Sequence, residues 1–315
     1  MDVSVIGSAM LDTIVYTDRL ERFKLKRKQY LGFPYSSKTE IDKLRFDVGG
    51  SGHNIAVGLS KLGNQVVFIG RIGDDPNGEM ITENFDAEGV DITYLKKDKD
   101  KMTGFSQIFI TPDGEKSLLT YRGANNNLAP EDIPEDTMKS KWFVFTTVTS
   151  DQTVEAVKKS VNLVKKGGGK ILANPSITMV KHRKRELTNL IRQSDVAIMN
   201  KEEVCSLTDT RNEKKGLKAL LDMGVKSVVV TLGKNGIIGS DRENYYKQKP
   251  YSVKIRDATG AGDGFTAGFL HWFMKTGSFR DSLMFGNATA ALNIESVGAT
   301  KNLPSEKDII NLMGR

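Results

Sequence analysis

Residues 257–263 read Asp257-Ala258-Thr259-Gly260-Ala261-Gly262-Asp263, and this stretch, called the anion loop below, says most about the fold. It follows an extended segment and precedes a predicted helix whose apolar face includes Phe265, Phe269 and Phe273. Glycines at the start of a helix leave backbone N–H groups unpaired and uncovered, next to the positive end of the helix dipole. A phosphate group can therefore approach the backbone of Gly260, Ala261 and Gly262.

The Asp263 carboxylate comes directly after these glycines, where it can take a proton from a hydroxyl that attacks the bound phosphate. The helix dipole favours the ionised form of a carboxylate here, so we expect Asp263 to be a weak base. A weak base suffices for phosphoryl transfer, because positioning and charge stabilisation supply most of the rate. The alternative, on the local pattern alone, is a glycine-rich turn with Asp263 as a helix cap.

A second glycine pair precedes a predicted helix in Gly49-Gly50-Ser51-Gly52-His53-Asn54. The backbone of Gly49 and Gly50 can lie against a small polar substrate, because no side chain intervenes. The Asn54 side chain can hydrogen-bond the hydroxyls of that substrate. The alternative is a turn followed by a helix cap.

Together, the two motifs resemble the N-terminal and C-terminal signatures of the ribokinase-like carbohydrate kinases, the phosphofructokinase-B family. Ala258 stands where that family usually has threonine, a change that leaves the glycines and Asp263 untouched. The resemblance runs from Gly7 to about Pro304, with the motifs in the family's order. It implies an ATP-dependent kinase for a hydroxyl of a sugar or sugar-containing molecule, with Asp263 as the base and the amides of residues 260–263 as the anion hole.

The resemblance also assigns residues to the substrate. Asp12, shortly after the first predicted strand, would accept hydrogen bonds from two substrate hydroxyls. Asn174 follows another predicted strand and is a candidate to face the reaction centre. Arg122, in a segment expected to form a lid, would meet a carboxylate or phosphate on the substrate, or else brace the lid.

Further elements resemble the family's nucleotide and metal sites. Asn200-Lys201-Glu202-Glu203 is similar to its Asn-x-x-Glu element, which organises magnesium around the phosphates. Magnesium keeps most of its waters and uses few carboxylates, and ligands of α/β sheets gather at the carboxyl ends of strands. The resemblance therefore implies a Mg²⁺ site at Glu203, reached through water, whereas Glu202 is a solvated neighbour.

The segment 231–236 resembles the family's nucleotide loop, in which Thr231, Gly233 and Gly236 would contact ATP. Asn287 corresponds to a position that borders the adenine in relatives. Some relatives bind K⁺ where this chain has Asp257 and Thr259. The alternative for that pair is a turn that Asp257 stabilises.

Apolar runs alternate with helical stretches along most of the chain. The predicted buried strands cover residues 3–6, 66–69, 142–148, 170–173, 196–199 and 226–231. Predicted helices include one that starts at Asn54 and one over residues 154–166. This alternation predicts an α/β fold, a doubly wound and mostly parallel sheet covered on both faces.

Residues of about 11–18, 38–47 and 103–122 break the rhythm, because they are extended without helices between them. Pro112-Asp113-Gly114 is a strong turn signal within the last segment. We expect these strands to form a small β-sheet lid beside the main body. Composition alone fits one domain with an appendage as well as two domains, and the resemblance favours a single ribokinase-like domain over residues 1–315.

Composition restricts the other function classes. The chain has 315 residues, a net charge of +7 and a single cysteine, Cys205, which excludes an intrachain disulfide framework. With no secretion signal and no apolar run of bilayer length, we expect a cytoplasmic protein with no membrane partner. Basic clusters at residues 24–28 and 181–185 lack interleaved aromatic residues, so we expect no nucleic-acid partner.

The acceptor stays open at this stage. A sugar such as ribose, fructose or a keto-acid sugar is the leading class, and the alternative is a nucleoside kinase acting on the ribose 5′-hydroxyl. An alternative of another class is a metabolite-binding regulator without chemistry, which the intact Asp263 and Glu203 disfavour. Relatives often build a dimer contact from the lid, so the resemblance also implies a homodimer.

Overall fold

A computed structural model describes residues 1–26, 28–113, 116–135, 139–301 and 303–314. Its strands, in chain order, are β1 (Val3–Ile6), β2 (Met10–Tyr16), β3 (Glu21–Leu25), β4 (Lys28–Gly32), β5 (Lys43–Gly49), β6 (Val66–Gly73), β7 (Asp91–Asp98), β8 (Phe105–Ile110), β9 (Lys116–Tyr121), β10 (Trp142–Phe145), β11 (Lys170–Ala173), β12 (Val196–Asn200), β13 (Ser227–Thr231), β14 (Ile237–Ser240) and β15 (Tyr245–Gln248).

The helices are α1 (Ser51–Lys61), α2 (Pro76–Ala87), α3 (Asp151–Lys166), α4 (Ile177–His182), α5 (Lys184–Ile191), α6 (Lys201–Thr208), α7 (Glu213–Asp222), α8 (Ala261–Thr276), α9 (Phe279–Asn293) and α10 (Glu306–Met313). Several begin at residues suited to capping: the Ser150 side chain accepts a hydrogen bond from Thr153 N in α3, and Ser278 does the same for Asp281 N in α9. Across the described residues, no helix has both the length and the apolar character needed to span a bilayer.

Within the described residues, nine strands form a large sheet in the order β15-β14-β13-β12-β11-β10-β1-β6-β7. The seven neighbouring strands β13, β12, β11, β10, β1, β6 and β7 are parallel. Strands β14 and β15 extend the sheet as antiparallel strands. Central strands such as Val3–Ile6 are buried along their whole length, as expected for a parallel sheet covered on both sides.

Two hydrophobic clusters cover the two faces of this sheet. One face packs against residues of α1, α2, α8 and α9, including Ile55, Phe85 and Phe269. The other packs against residues of α3, α5, α6 and α7, including Val157 and Leu190. The predicted doubly wound, mostly parallel α/β fold is therefore confirmed.

The small sheet has the strand order β5-β2-β8-β9. Strands β2 and β8 are parallel, and its other pairs are antiparallel. These strands overlap the three segments expected to form a lid; of the predicted turn, Gly114 lies outside the described residues, as does the adjoining Glu115. The hairpin of β3 and β4 was not predicted, because its charged strands lack a regular apolar alternation.

The small sheet joins the body at β1, the third strand from the β7 edge of the large sheet. The chain leaves β1 at Gly7 and enters β2 at Met10, and it returns through Gly49 and Gly50 into α1. Helix α1 begins at Ser51, three residues before the predicted start. A Cβ on Gly52 would lie 2.7 Å from the Gly7 Cα, so these glycines allow α1 to press against the end of β1. This junction lies where the winding direction changes, the usual ligand position in such sheets.

Candidate active site

The first turns of α1 and α8 meet at Asp263. The Asn54 side-chain amide donates a 2.8 Å hydrogen bond to Asp263 Oδ2. Ser51, one helical turn before Asn54, also hydrogen-bonds the Asp263 carboxylate. The two glycine motifs, far apart in the sequence, are thus joined through one carboxylate.

Burial raises the pKa of Asp263 to about 6, and the nearby charge of Asp12 acts in the same direction. The hydrogen bonds from Asn54 and Ser51 work against this rise. The expected weak base is therefore wrong: the loss of hydration outweighs the stabilisation expected from the helix dipole. The result is a carboxylate whose pKa is close to the pH at which a general base works well.

The glycines of the anion loop have different structural roles. Gly260 caps α8 with φ 74°, and a Cβ there would lie 2.6 Å from the Ala299 Cβ. Gly262, in contrast, faces open space, since a Cβ would meet no atom within 4 Å. The first hydrogen bond of α8 runs from Gly264 N to Gly260 O, so the N–H groups of Gly262 and Asp263 precede the helical ladder.

A cavity of about 620 Å³ opens beside this helix start, a size typical of a small-molecule site. Its lining includes the following residues that the sequence assigned to the reaction centre, magnesium or ATP: Asn174, Asn200, Glu203, Thr231, Gly233, Gly236, Ala261, Gly262, Asp263 and Asn287. The structure therefore brings together segments that are spread over more than a hundred positions of sequence.

Asn200 and Glu203 form a reciprocal cap at the start of α6. The Asn200 side chain accepts from Glu203 N at 2.9 Å, and Glu203 Oε2 accepts from Asn200 N at 2.7 Å. Burial raises the pKa of Glu203 to about 7, against the effect of backbone hydrogen bonds, and the charge of Asp263 contributes to the rise. Among the described residues, no group of three or more His, Cys, Asp or Glu could hold a metal ion.

The remaining nucleotide and reaction-centre candidates lie at ends of strands, apart from Asn287, which lies within α9. Thr231 ends β13, and Gly233 follows it with φ 56°. Gly236 has φ 85°, and a Cβ there would lie 2.0 Å from Gln248 O, so its glycine serves the turn before β14. The Asn287 amide donates to Lys249 O at 2.8 Å, and the Asn174 amide donates to Ile198 O at 3.1 Å.

Asp12 lies on β2, paired in register with Asp47 on β5. Burial raises the pKa of Asp12 to about 6, with a hydrogen bond from Ser106 opposing and the charge of Asp47 adding to the rise. A Cβ on Gly49 would lie 2.4 Å from Asp12 Oδ2. The Asp12 carboxylate therefore has room in this position only because Gly49 has no side chain.

Gly50 has φ 94°, and a Cβ there would lie 2.4 Å from Ser8 O, so this position also requires glycine. Arg122 lies elsewhere: it lines a separate narrow cleft together with Ser8 and Asn125. Burial lowers the pKa of its guanidinium. Arg122 is not brought to the cavity that Asp263 lines, and its contact with substrate stays a prediction.

Asp257 and Thr259 bind a side chain of the small sheet. The Lys116 ammonium donates to Asp257 Oδ1 at 2.7 Å and to Thr259 Oγ1 at 2.5 Å. The turn proposed as an alternative for this pair is also present, because Thr259 N donates to Asp257 Oδ1 at 3.0 Å.

Sequence reasoning missed Ser51, Ser106 and Lys116. Ser51 carried a usable signal, because it lies in the glycine motif three positions before Asn54 and so shares a helix face with it. Ser106 is placed beside Asp12 by the parallel register of β2 and β8, and Lys116 reaches the anion loop from β9. No local sequence pattern predicts either contact.

Known proteins match the chain along nearly its whole length. A model of the pfkB family carbohydrate kinases matches residues 1–306. The chain is 28% identical over 312 residues to a deoxyribokinase from Salmonella typhi, covering 97% of this chain and 96% of that protein. It is 30% identical over 293 residues to a 5-dehydro-2-deoxygluconokinase from Clostridium perfringens, covering 88% and 86% of the two chains.

Among solved structures, Arabidopsis thaliana ribokinase complexed with ribose and ATP superposes with a TM-score of 0.85 at 25% identity, over 100% of this chain and 99% of that one. Matches of this coverage agree with the two glycine motifs, the doubly wound sheet and the small second sheet. The chain belongs to the pfkB family of carbohydrate kinases.

Proposed function

We propose that Asp263 is the general base of this kinase and that the amides at the start of α8 form its anion hole. The family establishes the reaction as ATP-dependent phosphorylation of a hydroxyl on a sugar or sugar-containing molecule. The roles of individual residues are our inference from their geometry. The main support is the 2.8 Å hydrogen bond from Asn54 to Asp263, which joins the glycine pair motif of residues 49–54 and the anion loop at one carboxylate.

In the proposed step, the acceptor hydroxyl oxygen attacks the terminal phosphorus of ATP. The bond from that phosphorus to the bridging oxygen breaks, and ADP leaves with the electron pair. Asp263, with its pKa near 6, is ionised at neutral pH and takes the hydroxyl proton. The N–H groups of Gly262 and Asp263 face the charge on the transferred phosphoryl group.

Glu203 fits a magnesium ion that is bound through water. It lines the same cavity as Asp263, and one carboxylate is enough when phosphates and waters supply the other ligands. Magnesium would neutralise charge on the phosphates there. Glu203 also holds Asn200 in place through the reciprocal cap, so it serves the fold of this corner as well.

The acceptor end of the site favours a polyhydroxylated ligand. Asp12 supplies a half-buried carboxylate that can accept two hydrogen bonds from neighbouring hydroxyls, beside the bare backbone of Gly49 and Gly50. A nucleoside remains the alternative acceptor, and one feature supports it: Phe105 and Tyr121, on adjacent strands of the small sheet, have ring centroids 5.7 Å apart. The two rings pack on each other, and the exposed side of Tyr121 can stack on a base.

An ADP-release assay over pentoses, ketohexoses, keto-acid sugars and nucleosides tests this proposal. We expect turnover with at least one sugar, and with a nucleoside only where its ribose 5′-hydroxyl is free. Turnover of nucleosides alone would replace the sugar by the nucleoside. Binding of a ligand by calorimetry with no ADP formed from any acceptor would favour the regulator.

The small sheet supports two further proposals. It stands over the acceptor end and would act as a lid whose closure keeps water from the phosphoryl group. The small sheet and the hairpin of β3 and β4 also expose many large apolar side chains: Phe23, Leu25, Tyr30, Leu44, Phe46, Leu118, Leu119 and Tyr121. A set of this size is typical of an interface, and we propose that it joins two copies of the chain. Because the reaction needs ATP, we also propose that the enzyme works in the cytoplasm.

A further inference from the structure

The small sheet delivers a positive charge to the anion loop. Lys116 is the first residue of β9, and its ammonium lies 2.7 Å from Asp257 Oδ1 and 2.5 Å from Thr259 Oγ1. The Lys116 side chain is 30% exposed and that of Asp257 only 9%, so the pair is shielded more than a surface ion pair. Gly260, which caps α8, comes next in the chain after Thr259.

Asp257 is held as a fixed anion at this point. Its Oδ1 also accepts from the backbone N–H and the hydroxyl of Thr259, and its Oδ2 accepts from Gly298 N at 3.2 Å. A carboxylate that accepts these hydrogen bonds and is largely buried requires a cation beside it.

A monovalent metal ion at these side chains does not fit the structure. Asp257 Oδ1 and Thr259 Oγ1 are side-chain oxygens of the pair that the resemblance assigns to K⁺, and both already accept from the Lys116 ammonium. A metal ion on the same two atoms would lie within a few ångströms of that ammonium, where like charges repel. The Lys116 ammonium therefore lies at the pair where some relatives bind K⁺.

We propose that Lys116 is the built-in cation of the anion loop and a positioning residue for phosphoryl transfer. By neutralising Asp257 and binding Thr259, it fixes the loop that leads into Gly260 and so holds the amides of α8 in place. The kinase then needs no monovalent metal ion. The proposal rests on the proposed function in one respect, namely that these amides are the anion hole.

The same contact couples the small sheet to the reaction. Lys116 comes from β9, and a second cation of the small sheet, Arg45 on β5, lies 4.0 Å from Asp257 Oδ2. Lys301 of the body in turn pairs with Asp47 on β5 at 2.8 Å. Displacement of the small sheet would withdraw the ammonium, so the anion loop is complete only while the sheet covers the site.

The test is steady-state turnover of wild type and Lys116→Met in chloride salts of tetramethylammonium, Na⁺, K⁺ and NH₄⁺ at equal ionic strength. We expect wild type to be equally active in all four salts. Lys116→Met should lose about tenfold or more of its kcat in tetramethylammonium, because the anion hole is mispositioned, and K⁺ or NH₄⁺ should restore much of it. Lys226→Met is the matched control, since it breaks an ion pair of the same 2.7 Å length, to Asp195, away from the loop.

Strong activation of wild type by K⁺ would overturn the proposal, and so would a Lys116→Met variant with unchanged activity. A loss that no cation restores, in a variant with wild-type melting temperature, would also count against it, because a missing charge is replaceable. Asp263→Asn, run in the same salts, separates the two claims. If Asp263→Asn is inactive while Lys116→Met behaves as wild type, only the present proposal fails; if Asp263→Asn is active, the proposed base fails instead.

Discussion

Asn54 in the first turn of α1 donates a 2.8 Å hydrogen bond to Asp263 in the first turn of α8, 209 positions further along the chain. One helix start is suited to the acceptor and the other to a phosphate. Because both helix starts contact the Asp263 carboxylate, a residue on the acceptor side affects the pKa of the base on the phosphate side.

Asp263→Asn should lower kcat by about a hundred- to ten-thousandfold, because the amide cannot take the hydroxyl proton. Nucleotide binding, measured by calorimetry, should survive, since the backbone amides are unchanged. Asp281→Asn, the same change in the first turn of α9 at an exposed position, should leave turnover intact. A near-normal rate in Asp263→Asn would remove the base from the mechanism.

The same variant should melt at a higher temperature than wild type at pH 7. The pKa of Asp263 is raised on folding, so its stabilising contribution is complete at low pH and is lost as the pH rises through about 6. The ionised carboxylate therefore costs the ligand-free fold up to about 3 kcal/mol at neutral pH. Thermal melts at several pH values should show the gap between variant and wild type closing towards pH 4, and a constant gap would contradict this account.

Turnover should fall on the acid side of about pH 6, as Asp263 becomes protonated. Asn54→Ala should move this limb of the kcat/KM profile to higher pH, because the hydrogen bond it removes stabilises the carboxylate. Asp12→Asn should move the limb to lower pH, because it removes a negative charge that raises the pKa of Asp263. Shifts of the same sign in both variants would mean that another group titrates.

Gly260→Ala and Gly262→Ala should fail in different ways. At Gly260 a Cβ meets Ala299 and the backbone has φ 74°, so we expect a loss of stability of about 1–3 kcal/mol. At Gly262 a Cβ meets only open space, so the fold should be kept while kcat/KM for ATP falls about tenfold or more. Melting temperatures and ATP kinetics of the two variants distinguish a loss of stability from a loss of phosphate binding. Wild-type kinetics in Gly262→Ala would mean that no phosphate approaches Gly262.

Glu203→Gln should raise the Mg²⁺ concentration needed for half-maximal turnover by about tenfold. Glutamine can still complete the reciprocal cap with Asn200, so the start of α6 should stay folded. Glu202→Gln is the neighbouring control, because that exposed carboxylate pairs with Lys181 instead. Equal Mg²⁺ titration curves for the two variants would remove Glu203 from the magnesium site.

Leu119→Glu should convert a dimer into monomers, as measured by light scattering during size-exclusion chromatography. Leu119 lies on β9 and is 67% exposed in the isolated chain, among the apolar side chains of the small sheet. A charge buried in an interface without a partner is strongly unfavourable. Met80→Glu, at an exposed position of α2, should leave the mass unchanged. A wild-type protein that is monomeric would refute the proposed interface.

The sequence was most informative where function depends on a short stretch of chain. The glycines and Asp263 lie within one turn, so the anion loop could be read directly, and strictly alternating strands and helices indicated the large sheet. The pKa of Asp263 could not be read in this way. Its rise depends on burial against α1 and on Asp12, both supplied by residues more than two hundred positions away.

Contacts that depend on strand register could not be predicted from the sequence either. Lys116 and Asp257 are 141 positions apart, and the small sheet determines that they meet. Ser106 reaches Asp12 only because β2 and β8 are paired in a particular register. Arg122 lines a different cleft from the one that Asp263 lines, so its contact with substrate stays a prediction.

The short crossing from β1 through Gly7 to Asp12 has a consequence for timing. In the proposed lid motion, Asp12 moves with the small sheet while Asp263 stays with the body, and the charge of Asp12 raises the pKa of Asp263. Opening of the lid would therefore lower the pKa of Asp263, because the carboxylate becomes better hydrated and lies farther from Asp12. The base would reach its full strength only after the acceptor is enclosed, which would protect ATP from hydrolysis in an empty enzyme.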